Sequence, residues 1–420
     1  MRHLSRVIMA MLAMSGRVTM LGLSRWTTGR GGSYRTVQRF FNAPLNWPLL
    51  NWLLIRTHLL DSDDIIILAG DETIVPKAGE QTYGLGRYFS SVAKRLLPGL
   101  SFFAISLVSV KGHVSFPVMM EQLVGEDTDK LSPGTAPLPG KRGPGRPKGR
   151  RNSNRRDVEL SPYLLKVQQI IRQTLSLTAG TIQVGYCLLD GFFGNNNALQ
   201  MVRQCHLHII SKLRYDAVLY LPYEGPQLPR GQKRKYGARV DPRQLPSSAL
   251  RQITAEEGTH GAIYQLTVRH KSFADLLNVV IIQRIRDGKQ AHIILFSSDL
   301  ALSYQQVIDY YQLRFQLEFN FRDAKQFWGL DDFMTIKPQS VTTSANLAMF
   351  MPNVAHALLR TFQQHQPNFS VNDLKAHYRG LKYVQEVLNL LPISPEPVSI
   401  EDFFANVLAL GSVNIARVPV

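Results

Sequence analysis

The stretch from Tyr304 to Trp328 limits what this chain can fold into more than any other. Projected at about 100° per residue, it reads as one long helix closed by Gly329. Tyr311, Arg314, Glu318, Arg322 and Lys325 fall on one narrow stripe. Leu313, Leu317, Phe321, Ala324 and Trp328 flank that stripe on one side, and Phe315 and Phe319 on the other. Gln312, Gln316, Asn320 and Asp323 lie opposite, towards water. An ordinary amphipathic helix keeps its charges on the solvent face. A carboxylate and several cations between two apolar walls predict that Glu318 sits in a partly dry place beside basic groups. The competing reading is a plain Arg314–Glu318 pair at i,i+4, worth only tenths of a kcal/mol at a surface. The helix alone leaves both open.

Composition narrows the partners. A chain of 420 residues with 45% hydrophobic content has room for two or three structural units with sizeable cores. The net charge of +17 and pI of about 9.9 point to a polyanionic partner, nucleic acid first. Cys187 and Cys205 offer neither a disulfide framework nor zinc spacing, and read as small buried hydrophobes in a reducing cytoplasm. Met1 to Met14 imitates a signal peptide, but its apolar run is brief. No stretch approaches the roughly 18 apolar residues of a spanning helix, so the expectation is a soluble cytoplasmic protein with no membrane role.

Along the chain, residues 4–60 read as helices broken by Gly and Pro: Leu4–Met14, Thr19–Trp26, Tyr34–Phe41 and Trp47–Leu60. Arg25, Arg30, Arg35 and Arg39 cluster around the Gly31–Gly32 turn. A small basic helical module suits DNA docking, and equally suits a helical cap on the next unit. Asp64 to Gly70 is an apolar β-branched strand that runs into Asp71–Glu72–Thr73. Leu100–Val110 and His113–Met120 predict a hairpin around Lys111–Gly112.

Ser132 to Arg156 is a Pro- and Gly-rich linker, with eight Lys or Arg and no acid from Lys141 onward. Its Gly145–Arg146–Pro147–Lys148–Gly149 resembles the core of an AT-hook, an extended segment that lays arginine into a narrow minor groove. With Arg150 and Arg151, it adds a salt-sensitive phosphate term even if it is only a solvated charge run. Ser161–Ala179 is an amphipathic helix, and Thr181–Leu189 a second buried strand that ends in Asp190–Gly191–Phe192. A helix over Asn195–His206 and a strand over Leu207–Tyr215 follow. Residues 216–300 look largely β, with strands near Ala262–His270, Asn278–Arg286 and Ala291–Ser297 and a basic patch at Lys233–Arg234–Lys235. After the long helix, Val341–Gln364 and Val371–Leu391 read as packing helices.

Three acids stand out: Asp71 at one strand end, Asp190 at another and Glu318 on the helix. Strands and a helix are rigid supports, which a metal site needs. Carboxylates are hard oxygen ligands that suit Mg²⁺ or Mn²⁺. Three of them can hold two ions, one to activate a water or 3′-hydroxyl and one to stabilise the leaving oxygen of a phosphodiester. Each Asp alone is weak evidence. The order strand-Asp, strand-Asp, helix-Glu with a basic stripe is specific.

At these residues the chain resembles a known family. Tyr311-x2-Arg314-x3-Glu318-x6-Lys325 reproduces the Tyr-Arg-Glu-Lys signature of one group of DDE transposases of bacterial insertion sequences, the insertion sequence family four type. Asp71–Glu72–Thr73 looks like the family's first Asp motif, and Leu188–Leu189–Asp190–Gly191–Phe192 like its second. The resemblance covers roughly Leu60 to Leu330 and implies an α/β fold: a ribonuclease-H-like mixed sheet of five strands flanked by helices, with a β-rich insertion and helical N- and C-terminal parts. The 128 residues between Asp190 and Glu318 (318 minus 190) leave room for that insertion.

The resemblance implies that Asp71, Asp190 and Glu318 bind two ions, Mg²⁺ or Mn²⁺. It further implies that Tyr311, Arg314 and Lys325 contact phosphate of the transposon end, with Arg322 on the same stripe. The implied partners are double-stranded DNA, as terminal inverted repeats and as target, and a second copy of the chain in the DNA complex. The expected division is a DNA-binding helical module over 1–60, then the first part of the catalytic core over 61–215 with the linker 132–156 inside it. The β-rich insertion over 216–300, the final core helix over 301–340 and a helical region over 341–420 follow. Glu72, an extra acid beside Asp71, is a second candidate ligand at that strand. The expected activity is cut-and-paste transposition by two-metal hydrolysis and strand transfer. The rivals are a ribonuclease-H-like nuclease that does not integrate, and an inactive relative that only binds DNA.

Overall fold

The computed structural model describes residues 2–27, 32–90, 94–128, 130, 154–256, 259–286 and 289–390. The apolar run after Asp64 forms β1 (Ile66–Pro76), which does not stop at Gly70 but continues through the acids. It lies antiparallel to β3 (Arg95–Ser109), whose outer edge carries β2 (Gly86–Ser90) and β4 (Val114–Leu123). The expected hairpin is therefore present, with its turn at Lys111–Gly112. On its other side β1 is parallel to β5 (Tyr186–Leu189), and β5 to β6 (His208–Leu213). The order β4-β3-β1-β5-β6, three antiparallel strands followed by parallel ones, is a ribonuclease-H-like mixed sheet flanked by helices.

The β-rich stretch adds β7 (Leu219–Pro222), β8 (Tyr236–Val240), β9 (Leu250–Glu256), β10 (Thr259–His270), β11 (Leu276–Arg286) and β12 (Lys289–Ser297). It does not form a separate layer. β12 pairs with β6, so the sheet runs on as β6-β12-β11-β10-β7-β8, twelve strands in all among the described residues.

The helices are α1 (Arg2–Ala13), α2 (Met20–Trp26), α3 (Tyr34–Asn42), α4 (Trp47–His58), α5 (Pro162–Thr178), α6 (Asn196–Arg203), α7 (Tyr304–Leu313), α8 (Phe315–Gln326), α9 (Pro338–Gln363) and α10 (Val371–Leu390). Two apolar clusters hold them to the sheet. One joins Ile67, Ala69 and Leu188 to α7, α8 and α9; the other joins Leu68, Cys187 and Leu189 to α5 and α6. Side chains alternate across a strand. Odd positions of β1 and even positions of β5 thus face α8. The N-terminal helices share the first cluster through Leu4, Val7, Met11, Leu23, Phe40 and Phe41, so α1, α2 and α3 pack into the same core as α8 and α9.

The edge strand β4 is covered in a specific way. An unpaired strand edge is a template for unwanted pairing and must be satisfied or blocked. Asn346 on α9 gives its amide to Met120 O at 2.9 Å and accepts from Met120 N at 3.2 Å, as a neighbouring strand would. Asn353 caps Pro117 O at 2.7 Å, Asn51 caps Val118 O at 3.1 Å, and Asn320 on α8 caps Ser115 O at 3.1 Å. All four asparagines are buried. Asn320, expected to face water, is instead one of the ties that hold α8 to the sheet.

Two features set the ends of α8. Gly329 closes it at φ +76°, where a Cβ would also collide with Val18. Val18 N–H in turn donates to Asp332 Oδ2 at 2.8 Å, so the segment between α1 and α2 docks on this turn. At the other end, the expected single helix is two. The ladder tightens at Arg314, whose N–H returns to Tyr311 O, and Leu317 N–H returns to Arg314 O.

Candidate active site

The parallel rungs between β1 and β5 end at Gly70–Leu189. Asp71 and Asp190 are the next residues on each strand, where the chains part. By the alternation above, both side chains fall on the α8 side. Glu72 falls on the other side. Its carboxylate accepts from Ser101 Oγ at 2.8 Å, Lys130 Nζ at 2.7 Å and Tyr163 OH at 3.4 Å. The Lys130 ammonium also stands over the rings of Tyr163 and Phe192, at 4.9 and 4.7 Å. Phe192 N–H donates to Asp190 Oδ1 at 3.2 Å. Glu72 is thus committed to ties that fix the turn beside Asp190. Sequence reasoning missed Lys130 and Tyr163, and no periodic or motif signal marked them.

Arg314 stands between the acids. Nη1 donates to Asp71 Oδ2 at 2.6 Å and Nη2 to Glu318 Oε1 at 2.8 Å. The Arg314 and Asp71 side chains are 9% and 16% exposed, whereas Glu318 is 45% exposed, so the guanidinium joins an inner carboxylate to an outer one. The i,i+4 pair considered from sequence exists, but as half of a bridge with a largely buried end. Arg314 Nε is buried with no partner among the described residues.

The acids are electrostatically strained. Burial pushes Asp71 up to about 6; Arg314 pulls it down, and Asp190 and Glu318 push it up again. Burial also raises Asp190, again against Arg314. Crowded, partly dry carboxylates favour a cation among them.

Other residues of the stripe are placed as follows. Tyr311 is half-buried with Arg314 near its ring face at 5.9 Å, and burial raises its hydroxyl. Lys325 Nζ donates to Ile74 O at 3.0 Å, on the strand that carries Asp71. Arg322 lies outward, stacked 4.9 Å from the Phe319 ring and 3.3 Å from Asp323. Phe315 and Phe319, expected as an apolar wall, are 47% and 45% exposed; the stripe is walled on one side only. Lys233, Arg234 and Lys235 are exposed just before β8, at the end of the sheet away from β1, and are not brought to the acids. Arg146, Lys148, Arg150 and Arg151 lie outside the described residues.

The donor chemistry at Asp71 and Asp190 fits a hard divalent ion. The third acid is turned to Arg314, and among the described residues no group of three or more His, Cys, Asp or Glu is arranged to hold an ion. No described helix is long and apolar enough to cross a membrane. A family model described as DDE superfamily endonuclease matches residues 1–273. That span contains Asp71 and Asp190 and ends before α7. No curated protein matched the chain.

Proposed function

The chain belongs to the DDE superfamily endonucleases, and from that we propose a DNA transposase that moves an insertion sequence by cut-and-paste. The family is one of divalent-metal nucleases acting on DNA. The observation that carries the reading is the side-by-side placement of Asp71 and Asp190 beyond the last parallel rung, with Arg314 and Glu318 over them.

Asp71 and Asp190 are the inner residues for Mg²⁺ or Mn²⁺, and Glu318 joins them once Arg314 lets it go. Two ions held there would supply an activated water or 3′-hydroxyl and a stabilised leaving oxygen. Arg314 would act in two ways. Its guanidinium neutralises Asp71 and Glu318; released, its fork would suit two phosphate oxygens. Tyr311 and Arg322 line the same approach. Lys325 keeps two further N–H groups for phosphate beyond its bond to Ile74 O. Arg146, Lys148, Arg150 and Arg151 would add sequence-independent grip, and Lys233 and Arg234 further phosphate contacts. The DNA would be the terminal inverted repeats and then a target, with two copies of the chain in the complex.

A strand-transfer assay tests this. The full chain with Mg²⁺ and a duplex that carries the element's own terminal repeat should nick it and join the free 3′ end to a plasmid. Nicking without joining would reduce the protein to a nuclease. Binding without nicking would reduce it to a DNA-binding relative.

A further inference from the structure

A second basic site lies at the other end of the core strands. Asp190 follows the last residue of β5, whereas β5 begins at Tyr186, paired with His208 at the start of β6. At about 3.3 Å per residue this separates the two ends by roughly 13 Å. Beside His208 opens a cavity of about 510 Å³ lined by Arg156, Arg203, Lys235 and Arg269. These come from the approach to α5, the end of α6, the approach to β8 and β10, elements far apart in sequence. The carboxylate in the lining is Asp275.

Asp275 organises rather than neutralises this cluster. Its Oδ1 takes Arg156 at 2.5 Å and its Oδ2 takes Arg203 at 2.6 Å, so one acid holds two guanidinium groups in place. Lys235 and Arg269 have no ion-pair partner among the described residues. Four cations against one carboxylate leave an excess of three (four minus one) in a recess whose walls include Leu199, Leu207 and Leu276. Apolar walls weaken screening and strengthen the field of those charges. Asp275 pairs with two of the four cations, and the other two leave net positive charge in the recess. Arg156 also closes the basic run that begins at Lys141.

We propose that this cavity binds the phosphodiester backbone of a nucleic-acid segment other than the one presented to Asp71 and Asp190. Four spaced cations, with His208 as the aromatic ring in the lining and no Phe, Tyr or Trp there, suit backbone phosphates rather than stacked bases or base edges. The proposal rests on the nuclease reading only in that the acids hold their own DNA segment.

The test uses the full chain in EDTA, with a random-sequence duplex of about 30 base pairs as probe. Wild type is compared with the Arg269→Ala/Lys235→Ala double variant and with Arg269→Glu, each checked for an unchanged circular dichroism spectrum. The slope of log affinity against log salt should fall by about two in the double variant, since each lost phosphate contact removes roughly 0.9. At saturation the wild type should take up a second duplex, and Arg269→Glu only one. Millimolar inorganic phosphate should leave both results intact; if it abolishes second-duplex uptake, the cavity is a small-anion site. An unchanged slope and stoichiometry in both variants overturn the inference while DNA binding at the acids stands. A wild type that binds no duplex at all overturns the proposed function as well.

Discussion

Arg314 reaches Asp71 across 243 residues of sequence and holds its carboxylate at 2.6 Å, while its other terminal nitrogen holds Glu318. A guanidinium here supplies the positive charge that a cation would supply among the acids. Removing it leaves Asp71, Asp190 and Glu318 facing one another, and breaking a buried pair costs several kcal/mol. The outer half of the bridge is solvent-screened, which lowers that figure to about 2–3 kcal/mol. Arg314→Gln should therefore lower the melting temperature in EDTA, and Mn²⁺ should raise it more in the variant than in wild type. Thermal unfolding with and without Mn²⁺ checks this. Equal Mn²⁺ shifts in both proteins would mean that Arg314 does not compete for the cation's place.

The edge of β4 should depend on Asn346. Asn346→Leu keeps the volume but leaves Met120 N–H and C=O unpaired in a dry interface. An unsatisfied buried backbone group costs about 1–3 kcal/mol, so the loss should be about 2–6 kcal/mol for the two. Urea unfolding measures it. A loss under about 0.5 kcal/mol, the level of an ordinary surface substitution, would show that water replaces the amide.

Lys77 gives a pH signature. It is buried, donates to Phe333 O at 2.7 Å and Asp331 O at 3.1 Å, and burial pulls its ammonium down to about 8 from 10.5. Between those values the unfolded chain binds the proton that the folded chain has lost, so stability from this group rises with pH. Below about 8 both states are charged, and the buried charge weighs fully against folding. The stability of wild type relative to Lys77→Met should increase by on the order of 3 kcal/mol from pH 7.5 to 10.5. Paired denaturation curves at both pH values measure this. A flat difference would mean that the ammonium is solvated.

Much of this arrangement was legible in the sequence, for physical reasons. β-branched runs marked β1 and the strands of the β-rich stretch, and Gly329 marked the end of α8. Parity was not legible. β1 and β5 are buried on both faces, so their apolar runs carry no alternation to tell Asp71 from Glu72. Only the packing of Ile67 and Ala69 against the α8 side, and of Leu68 against the α5 side, decides which acid faces the helix. The helical projection failed at Asn320 and at Phe315 and Phe319 for a related cause. A periodic projection assumes that polar means outward, whereas β4 needs donors for its free edge and the acids need an open mouth. Arg314, read as one half of a local pair, turned out to be a long-range bridge that no spacing rule encodes.

Asp71, which faces α8 and Arg314, is expected to be the working acid of β1, and Glu72, which faces the other side, is not. The most direct measurement is Mg²⁺-dependent nicking of a terminal-repeat duplex by Asp71→Ala and Glu72→Ala, normalised to folded, DNA-bound protein. Asp71→Ala should bind DNA and lose nicking by three orders of magnitude or more, equivalent to about 4 kcal/mol of transition-state stabilisation. Glu72→Ala should keep measurable nicking with a higher Mg²⁺ requirement, because the Lys130–Phe192 ties beside Asp190 loosen. Full activity in Asp71→Ala together with loss in Glu72→Ala would assign the ligand of β1 to Glu72 instead.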